Sequence, residues 1–402
     1  MSVPALRFKE FSGDWEEKAL GEIADIKRGA SPRPISDKKW FSGESKVGWV
    51  RISDVTRSSK YLTNTEQYLS REGISKSRLV KQGNIIMSIC ATIGKPIYTT
   101  FDVCIHDGFV VFENLQISHD YLFYYLILIE KKWYQYGQPG SQVNLNSDIV
   151  SNEKISIPSL PEQSKIANFL TAVDKKISLL TQKASLLSQY KKGVMQQIFS
   201  QELRFKDDDG QVFPEWEEKT LGEVGENIIG LTYSPKNVTD DKSCPIVLRS
   251  SNIKNDMLDL NDQVRVKENI PEKLFTKKDD ILICTRNGSQ RLIGKNVLIS
   301  NVETQMTFGA FMSVYRSPFN RFIVHLFKTD NYNEQIQMNL GARINSITTK
   351  NLNAFSFWFP SLPEQTKIAN FLTAIDEKIT TNQNQLNAVK QYKQGLLQQM
   401  FV

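Results

Sequence analysis

The amino-acid sequence predicts an α+β fold, with two tandem mixed α/β domains separated by two long helices that pair as an antiparallel intramolecular coiled coil in a pseudo-twofold, cyclic arrangement. The main observation is a helix-like segment that occurs twice. "LPEQSKIANFLTAVDKKI" begins at Leu160, and "LPEQTKIANFLTAIDEKI" begins 202 positions later at Leu362. Ahead of these segments, "WEEKALGEI" at Trp15 is matched by "WEEKTLGEV" at Trp216. A repeat of this length indicates that a whole domain is duplicated.

The repeats set the expected boundaries. We expect the first domain over residues 1–158, the first long helix over 159–200, the second domain over 201–360 and the second long helix over 361–402. The motif "LRFK" occurs at Leu6 and again at Leu203, so the chain enters each domain in the same way. If the helices are antiparallel, this plan brings the two ends of the chain together.

Each domain contains patterns for strands and helices. Short apolar runs bounded by glycine or charged residues predict buried strands, as in "NIIMSI" from Asn84 and "DILIC" from Asp280. "YLFYYLILIEKKWYQY" from Tyr121 and "FIVHLFKTDNYNEQIQM" from Phe322 predict helices that lead into loops containing glycine. Each domain is therefore expected to be a mixed α+β module.

Each long helix has a start signal and an apolar seam. "SLPE" at Ser159 and Ser361 predicts a capping box with proline in the first turn. Apolar residues then recur at alternating steps of four and three, which is typical of a coiled coil. The seam residues are Ile166, Leu170, Val173, Ile177, Leu180 and Leu187 in the first helix, and Ile368, Leu372, Ile375, Ile379, Leu386 and Val389 in the second. An exposed seam of this length would promote aggregation, so we expect the two helices to pair.

Composition excludes several classes of protein. No apolar run approaches the roughly 20 residues of a membrane span, and the opening "MSVPALRFKEFSGDW" has no apolar core of a signal peptide, so a cytoplasmic protein is expected. The four cysteines show no CxxC spacing and only three histidines are present, so we expect no metal site. The net charge of +6, from 50 basic and 44 acidic residues, is only weakly suited to nucleic acid, so DNA binding would depend on local patches.

No catalytic motif is convincing. "GSQRLIGKN" from Gly288 lacks the spacing of a phosphate-binding loop, and no GxSxG elbow is present. A nuclease could use the acidic run Asp207–Asp209 with Glu217 and Lys219 to hold Mg²⁺. That run lies between the two domains, where a solvated turn is expected. We therefore expect no catalytic residues in this chain.

Basic, amide-rich loops recur at matched places in both domains, as in "KRGASPRPISDKK" from Lys27 and "CTRNGSQRLIGK" from Cys284. Arginine can read guanine, asparagine and glutamine can read adenine, and serine and lysine can hold phosphates. Such loops are also common as plain solvated surface, but their recurrence favours DNA binding. The candidate DNA-binding residues are Lys27, Arg28, Ser31, Arg33, Lys38, Arg51, Thr92, Lys95, Ser141, Gln142 and Asn144 in the first domain, and Arg249, Arg286, Asn287, Ser289, Gln290, Arg291, Lys295, Arg343 and Asn345 in the second.

With these motifs, the chain resembles the specificity subunits of type I restriction-modification systems over essentially all of its 402 residues. The motifs that carry the resemblance are the "LPEQ-KIA-FL----D-KI" helix starts at Leu160 and Leu362, "LGE" at Leu20 and Leu221, and the "GK" elements that end at Lys95 and Lys295. The resemblance implies two target recognition domains, each reading one part of a split DNA sequence. It also implies that the paired helices act as a ruler between them.

The resemblance further implies the partners. We expect double-stranded DNA, two modification subunits and restriction subunits, and no membrane. The chain itself would bind no cofactor, since S-adenosylmethionine, ATP and Mg²⁺ would be bound by the partner subunits. Two other interpretations stay open from the residues alone: a free-standing two-domain DNA-binding protein, and the nuclease centred on Asp207–Asp209.

Overall fold

Both long helices are continuous in the computed structural model, over Leu160–Phe199 and Leu362–Met400. The structure describes residues 3–136, 145–302, 304–340 and 345–402. The chain divides into unit 1, comprising Met1–Gln182 and Gln383–Val402, and unit 2, comprising Lys183–Asn382. Each unit therefore contains the start of one long helix and the end of the other.

Unit 1 is built mainly from short strands. They are β1 (Glu16–Ala19), β2 (Asp25–Arg28), β3 (Gly48–Val50), β4 (Tyr61–Leu62), β5 (Gln67–Tyr68), β6 (Arg78–Val80), β7 (Ile85–Ser88), β8 (Pro96–Thr99), β9 (Val103–Ile105), β10 (Phe109–Glu113) and β11 (Lys154–Ile157). The helices are α1 (Leu20–Ile23), α2 (Ile52–Arg57), α3 (Arg71–Ser75), α4 (His119–Ile129), α5 (Ser147–Ser151) and α6 (Leu160–Phe199), with 3₁₀ turns at Lys38–Trp40 and Glu130–Tyr136. The strand orders are β2-β10-β7-β8-β4, β5-β3-β9-β6 and β1-β11.

Unit 2 repeats this plan with local changes. Its strands are β12 (Glu217–Thr220), β13 (Glu226–Ile229), β14 (Val238–Thr239), β15 (Ile246–Leu248), β16 (Ile253–Lys254), β17 (Met257–Leu258), β18 (Arg265–Val266), β19 (Ile281–Cys284), β20 (Asn296–Leu298), β21 (Met306–Phe308), β22 (Met312–Arg316) and β23 (Ser356–Phe359). Its helices are α7 (Leu221–Val224), α8 (Asn320–Leu326), α9 (Asp330–Asn339), α10 (Thr349–Asn353) and α11 (Leu362–Met400), with 3₁₀ turns at Pro235–Asn237, Ser250–Asn252, Glu272–Leu274 and Gln290–Leu292. The strand orders are β13-β22-β19-β20, β14-β18-β15-β21, β12-β23 and β16-β17.

The central sheet of each unit is covered on both faces. In unit 1, Ile85 and Met87 of β7 pack with α4 and α6 on one face, whereas Ile86 packs with β3 and β9 of the second sheet on the other. In unit 2, Ile281 packs toward the helices and Leu282 toward β15 and β21. Successive side chains of a strand point to opposite faces, so a strand buried on both faces reads as a continuous apolar run. The strands predicted from "NIIMSI" and "DILIC" are confirmed.

The long helices pair antiparallel within each unit, as the sequence predicted. In unit 1 the start of α6 shares a core with the end of α11, and the Lys393 Nζ lies 2.6 Å from the Asp174 Oδ1. In unit 2 the end of α6 shares a core with the start of α11, and the Lys191 Nζ lies 2.5 Å from the Asp376 Oδ1. The two ion pairs occupy equivalent positions in the repeat. They explain the two lysines that interrupt the apolar spacing of the helices.

The seam positions follow this pairing. Ile177, Leu187, Ile379 and Val389 are partly buried. The other seam residues are buried, and they are Ile166, Leu170, Val173 and Leu180 in α6 and Ile368, Leu372, Ile375 and Leu386 in α11. Within the described residues, no helix is long and apolar enough to cross a membrane.

The repeated Leu-Pro-Glu-Gln motif binds an arginine rather than forming the capping box predicted at Ser361. The Ser361 Oγ has no hydrogen-bond partner among the described residues. The Glu364 carboxylate instead accepts hydrogen bonds from the Arg204 Nε at 2.8 Å and Nη2 at 2.9 Å. In unit 1, Glu162 accepts from the Arg7 Nε at 2.7 Å and Nη2 at 2.8 Å. We call these two bidentate pairs the arginine latches; they explain why "LRFK" and "LPEQ" occur together in both repeats of this chain.

The chain enters each unit by the same backbone contact. The Leu6 amide donates to the Gln399 carbonyl at 2.8 Å in unit 1, and the Leu203 amide donates to the Gln197 carbonyl at 2.9 Å in unit 2. In unit 2 the chain reaches Leu203 directly from the end of α6, whereas in unit 1 the equivalent helix end belongs to the last segment of the sequence. The cyclic arrangement predicted from the sequence is confirmed.

Candidate nucleic-acid interface

In unit 1 the loops rich in basic residues meet at one edge of the two sheets. Strands β3 and β9 are parallel, with Val50 opposite Ile105, so both point their carboxyl ends toward this edge. Strands β2 and β7 both run antiparallel to β10, and they end beside its start at Phe109. The tight turn over residues 106–108, between β9 and β10, therefore lies among the ends of four strands. We call this the carboxyl edge of unit 1.

Three predicted residues converge on that turn at Asp107. The Arg28 Nε donates to the Asp107 carbonyl at 2.7 Å. The Ser31 Oγ lies 3.2 Å from the Asp107 Oδ1, and the Arg33 Nη2 lies 3.6 Å from the Oδ2. The Arg33 side chain is 80% exposed and that of Asp107 is 47% exposed. The close approach of the loop to the turn requires Gly29, since a Cβ there would lie 2.0 Å from the His106 carbonyl oxygen.

The electrostatics of the turn favour a charged carboxylate beside a neutral imidazole. Partial burial raises the pKa of Asp107, but the hydrogen bonds from Ser31 and a backbone amide, the attraction of His106 when that ring is protonated, and the charge of Arg28 lower it overall. Burial lowers the pKa of His106, against the attraction of Asp107. Arg51 also lies close enough to lower the pKa of His106 by charge repulsion. Arg28 and Arg33 thus lie beside one anionic side chain, and Arg51 lies near the neighbouring His106.

Other predicted residues of unit 1 divide between open surface and internal contacts. Lys38 is exposed on the 3₁₀ turn, and the exposed Arg51 donates from its Nε to the Gln67 Oε1 at 2.7 Å. The Thr92 Oγ1 lies 3.1 Å from the Thr56 Oγ1, which joins the loop after β7 to helix α2.

Lys27 and Lys95 have partners within the protein. The Lys27 Nζ lies 2.8 Å from the Glu113 Oε2, and this hydrogen bond raises the pKa of the lysine. The Lys95 Nζ donates to the Thr56 carbonyl at 3.1 Å and the Ser58 carbonyl at 2.9 Å, and burial lowers its pKa. These two lysines stabilise the loops of unit 1, so they are less available to phosphates than the exposed arginines.

Unit 2 has an equivalent carboxyl edge. Strands β15 and β21 are parallel, with Leu248 opposite Phe308, and the turn over residues 309–311 leads into β22. Gly230 makes the same close approach as Gly29, because a Cβ there would lie 2.2 Å from the Gly309 carbonyl oxygen. The same backbone framework therefore presents a second set of loops.

The side chains at this second edge differ from those in unit 1. Phe311 is 58% exposed, and the Arg286 guanidinium lies 5.8 Å from the centre of its ring. The Asn287 Nδ2 donates to the Ser250 Oγ at 3.0 Å. The Arg249 Nη2 donates to the Asp262 Oδ2 at 2.8 Å. The loop after β19 thus contacts both the turn and the end of β15.

The remaining predicted residues of unit 2 are mostly on this loop. Arg291 is exposed, and the exposed Gln290 lies 3.5 Å from Gln337 through their side-chain amides. The amide of Ser289 donates to the Asn287 Oδ1 at 2.9 Å, and the Asn345 Nδ2 donates to the Gly288 carbonyl at 3.0 Å, so both stabilise the loop. The Lys295 Nζ donates to the Ile253 carbonyl, much as Lys95 contacts the end of α2. Four further predicted residues, Ser141, Gln142, Asn144 and Arg343, lie outside the described residues.

Sequence reasoning missed Asp107 and Phe311, which lie in the short turns at the two edges. Both lie in a short turn between two apolar strands, "VCIHDGFVV" and "MTFGAFMSV", where the composition suggested only a connection. The signal that could have located these two residues was their position in the repeats. A turn between two matched strands lies at the same place in both repeats but carries unrelated residues.

The acidic run considered for a nuclease forms a turn. The Asp207 Oδ1 accepts from the amides of Asp209 at 3.0 Å and Gln211 at 2.7 Å. Asp208 is fully exposed and pairs with Lys367 at 2.6 Å. In the part of the chain that the structure describes, no cluster of three or more histidine, cysteine, aspartate or glutamate side chains could hold a metal ion.

Comparison with known proteins gives consistent results. The family model for the type I restriction modification DNA specificity domain matches residues 12–189 and again residues 214–391. The type I restriction enzyme StySPI specificity subunit of Salmonella potsdam is 29% identical over 196 residues, which cover 45% of this chain and 42% of that subunit. The putative type I restriction enzyme MjaX specificity subunit of Methanocaldococcus jannaschii is 25% identical and aligns with 96% of this chain and 93% of its own.

Two solved structures share the fold over almost the whole chain. The S subunit of a type I restriction-modification system from M. genitalium has a TM-score of 0.64 at 15% identity, covering 100% of this chain and 99% of its own. A chain from structural work on complex assembly and conformational transition of the type I R-M system has a TM-score of 0.58 at 16% identity, covering 96% and 97%. The fold is therefore one already seen in such subunits.

Proposed function

Because this chain belongs to the family defined by the type I restriction modification DNA specificity domain, which matches it twice, we propose that it recognises a bipartite, asymmetric DNA sequence and directs methylation and cleavage by partner subunits. The observation that carries the proposal is the pair of carboxyl edges. They stand on matching strands and matching glycines, Gly29 and Gly230, yet expose different side chains. Two DNA-binding edges that share one backbone framework but expose different side chains suit a DNA sequence with two unlike halves.

The charge at each edge supports binding to DNA. Unit 1 exposes Arg28, Arg33 and Arg51 around one turn, and unit 2 exposes Arg286 and Arg291 on one loop. Arginines of this kind neutralise phosphates and can also read guanine with two hydrogen bonds. The moderate net charge of +6 therefore still provides two local cationic patches.

The long helices support a role as the connection between the two readers. Leu160 is 59% exposed and Leu362 is 58% exposed, and Tyr190 and Tyr392 are exposed to 53% and 56%. These residues form two equivalent pairs in the repeat. Equivalent exposed positions suit two copies of one partner, which we propose are two modification subunits, with restriction subunits joining the assembly. S-adenosylmethionine, ATP and Mg²⁺ would then be bound by those partners.

The proposal is tested by mapping methylated bases in the DNA of cells that express this chain with its cognate modification subunit. We expect one motif made of two short, different sequences separated by a fixed, undefined gap. Replacing both Arg286 and Arg291 with alanine should weaken or relax one half of that motif and leave the other half intact. An undivided motif, or methylation that does not depend on this chain, would contradict the proposal.

A further inference from the structure

The turn at each carboxyl edge is where the exposed side chains of the two units differ most in chemical character. In unit 1 it places the Asp107 carboxylate between Ser31 and Arg33, and in unit 2 it places the Phe311 ring beside Arg286. The strands on either side of the turns pair in the same way. The difference is therefore confined to what the turn presents.

Asp107 has acceptor capacity that its protein contacts do not use up. Ser31 donates to the Oδ1, and Arg33 reaches the Oδ2 only at 3.6 Å from a side chain that is itself 80% exposed. A carboxylate offers about four lone-pair positions, so a half-exposed one with hydrogen bonds from Ser31 and a backbone amide can accept further hydrogen bonds. The backbone of Asp107 is fixed separately by the Arg28 side chain, so the carboxylate is not needed for that contact.

A carboxylate at this place is unsuited to contact a phosphate, which repels it. The hydrogen-bond donors that DNA presents in its major groove are the amino groups of cytosine N4 and adenine N6, and aspartate accepts from such groups. Arg28 and Arg33 lie beside Asp107 and would attract the phosphates on either side. That arrangement directs the carboxylate toward base edges.

We propose, resting on the proposed function, that the turn over residues 106–108 and its counterpart over 309–311 are the base-reading elements. Asp107 accepts a hydrogen bond from a cytosine or adenine amino group, and Phe311 contacts a thymine methyl group. Asp107 is then a specificity-determining residue of unit 1. Phe311 has the same role in unit 2 through an apolar contact, and Arg286 supports its ring.

The test compares methylated motifs for the wild-type chain, Asp107→Asn, Asp107→Ala and Phe311→Ala, each expressed with the modification subunit. Asn preserves the size of Asp107, so the loop should stay in place. We expect Asp107→Ala to lose about tenfold in preference at one base pair of one half-site, since a hydrogen bond to a charged acceptor is lost. Asp107→Asn keeps a neutral acceptor, so it should lose less preference and shift it toward adenine at the same base pair. Phe311→Ala should relax one position of the other half-site. Lys46→Ala removes an exposed cation just before the amino end of β3, away from the carboxyl edge, and should leave the motif unchanged.

A second measurement identifies the base that Asp107 reads. Binding of the purified chain is compared on a duplex in which adenine at that position is replaced by purine, or cytosine by 2-pyrimidinone, so that only the amino group is missing. The wild-type chain should bind the correct analogue about tenfold more weakly, and Asp107→Ala should bind both duplexes equally. The analogue that weakens binding distinguishes adenine from cytosine.

Three results would overturn this inference. The motif could be unchanged in both Asp107 variants, or a whole half-site could be lost although the variants are folded and assembled, or the wild-type chain could bind the analogue duplexes normally. Failure of the proposed function is seen separately, as an undivided wild-type motif. A single altered position within an undivided motif would still support the role of Asp107.

Discussion

The two units have nearly the same framework but different reading edges. The arginine latches match residue for residue, as Arg7 with Glu162 and Arg204 with Glu364, and so do the ion pairs between the long helices. At the carboxyl edges, by contrast, the turn of unit 1 carries a carboxylate at Asp107, whereas the turn of unit 2 has Ala310 at that position and an aromatic ring at the next residue, Phe311. This contrast teaches that the repeated residues of the chain maintain its architecture, whereas the residues that differ are placed where a ligand can reach them.

The connection between the units gives the largest expected effect. Inserting four residues, about one helical turn, into α6 near Ser185 should either lengthen the undefined gap of the recognised motif or prevent assembly with the modification subunits. Both units would keep their own edges, so the two half-sequences should be unchanged wherever methylation persists. Mapping of methylated bases provides the measurement. An unchanged gap in an active assembly would show that the helices do not set the spacing.

The arginine latches should have a large effect on stability. Arg204→Ala leaves the buried Glu364 carboxylate without its bidentate partner, and we expect the unfolding free energy to fall by about 3 kcal/mol. Glu364 keeps a hydrogen bond from the Trp216 Nε1 at 3.2 Å. Among the described residues the Trp15 Nε1, at the equivalent place in unit 1, has no hydrogen-bond partner.

Arg7→Ala should therefore lower the melting temperature of unit 1 more than Arg204→Ala lowers that of unit 2. Calorimetry of both variants provides the comparison, and Lys165→Ala, which removes an exposed ion pair near the first latch, is the control. Equal shifts would show that the tryptophan hydrogen bond contributes nothing.

A histidine should make the stability of unit 2 depend on pH. Burial first, and then the charges of Lys191 and Lys328, lower the pKa of His325 to about 3 from an ordinary value of 6.5. The unfolded chain takes up the proton first, so the stabilisation is complete above pH 6.5 and is lost as the pH falls toward 3. Between pH 7.5 and pH 5 the loss should be about 2 kcal/mol.

Tyr124 occupies the equivalent position in unit 1 and supplies the control. His325→Tyr copies that unit and should remove this part of the pH dependence, as measured by thermal unfolding across the range. If a larger side chain is not accommodated, His325→Asn tests the same point. Retention of the full pH dependence by both variants would assign it to other groups.

The ion pairs between the helices should give the smallest effect. Asp174 accepts from Lys393 and also from the Tyr124 hydroxyl at 2.8 Å, whereas Asp376 has His325 at 4.0 Å in place of that hydroxyl. We expect Asp174→Ala to cost about 2 kcal/mol and Asp376→Ala about 1 kcal/mol. Denaturant unfolding of the two variants measures the difference. The reverse order would show that the tyrosine hydroxyl does not strengthen the first pair.

Much of the architecture could be predicted because it depends on sequence patterns that occur in both repeats of the chain. Helix length and the seam follow from apolar spacing, which reports burial directly. The pairing of the helices follows from the need to cover that seam. The latches could not be predicted in this way, because the paired arginine and glutamate are 155 residues apart in unit 1 and 160 in unit 2. The glutamate also fits a local capping box equally well. The capping-box rule considers only neighbouring residues, whereas the partner of the glutamate is an arginine that is distant in the sequence.

The reading edges were predicted only in part for a similar reason. Composition located the loops around Arg28 and Arg286 but could not separate exposed cations from lysines such as Lys95, whose ammonium contacts backbone carbonyls. Asp107 was missed because its short turn is neither basic nor rich in amide side chains, which were the features that identified the other loops. Whether such a residue can contact DNA depends on which strand ends lie together, and local sequence does not show the sheet topology.

The division of each long helix between the units has a consequence for synthesis on the ribosome. Unit 2 is one continuous stretch, Lys183–Asn382, so all of its residues are available before the chain is complete. Unit 1 needs Gln383–Val402 as well, and its core includes Leu396, Met400 and Phe401, whose ring lies 5.0 Å from that of Tyr121. Synthesis of unit 1 therefore starts before that of unit 2 but ends after it, because Tyr121 packs against Phe401, which is made 280 residues later.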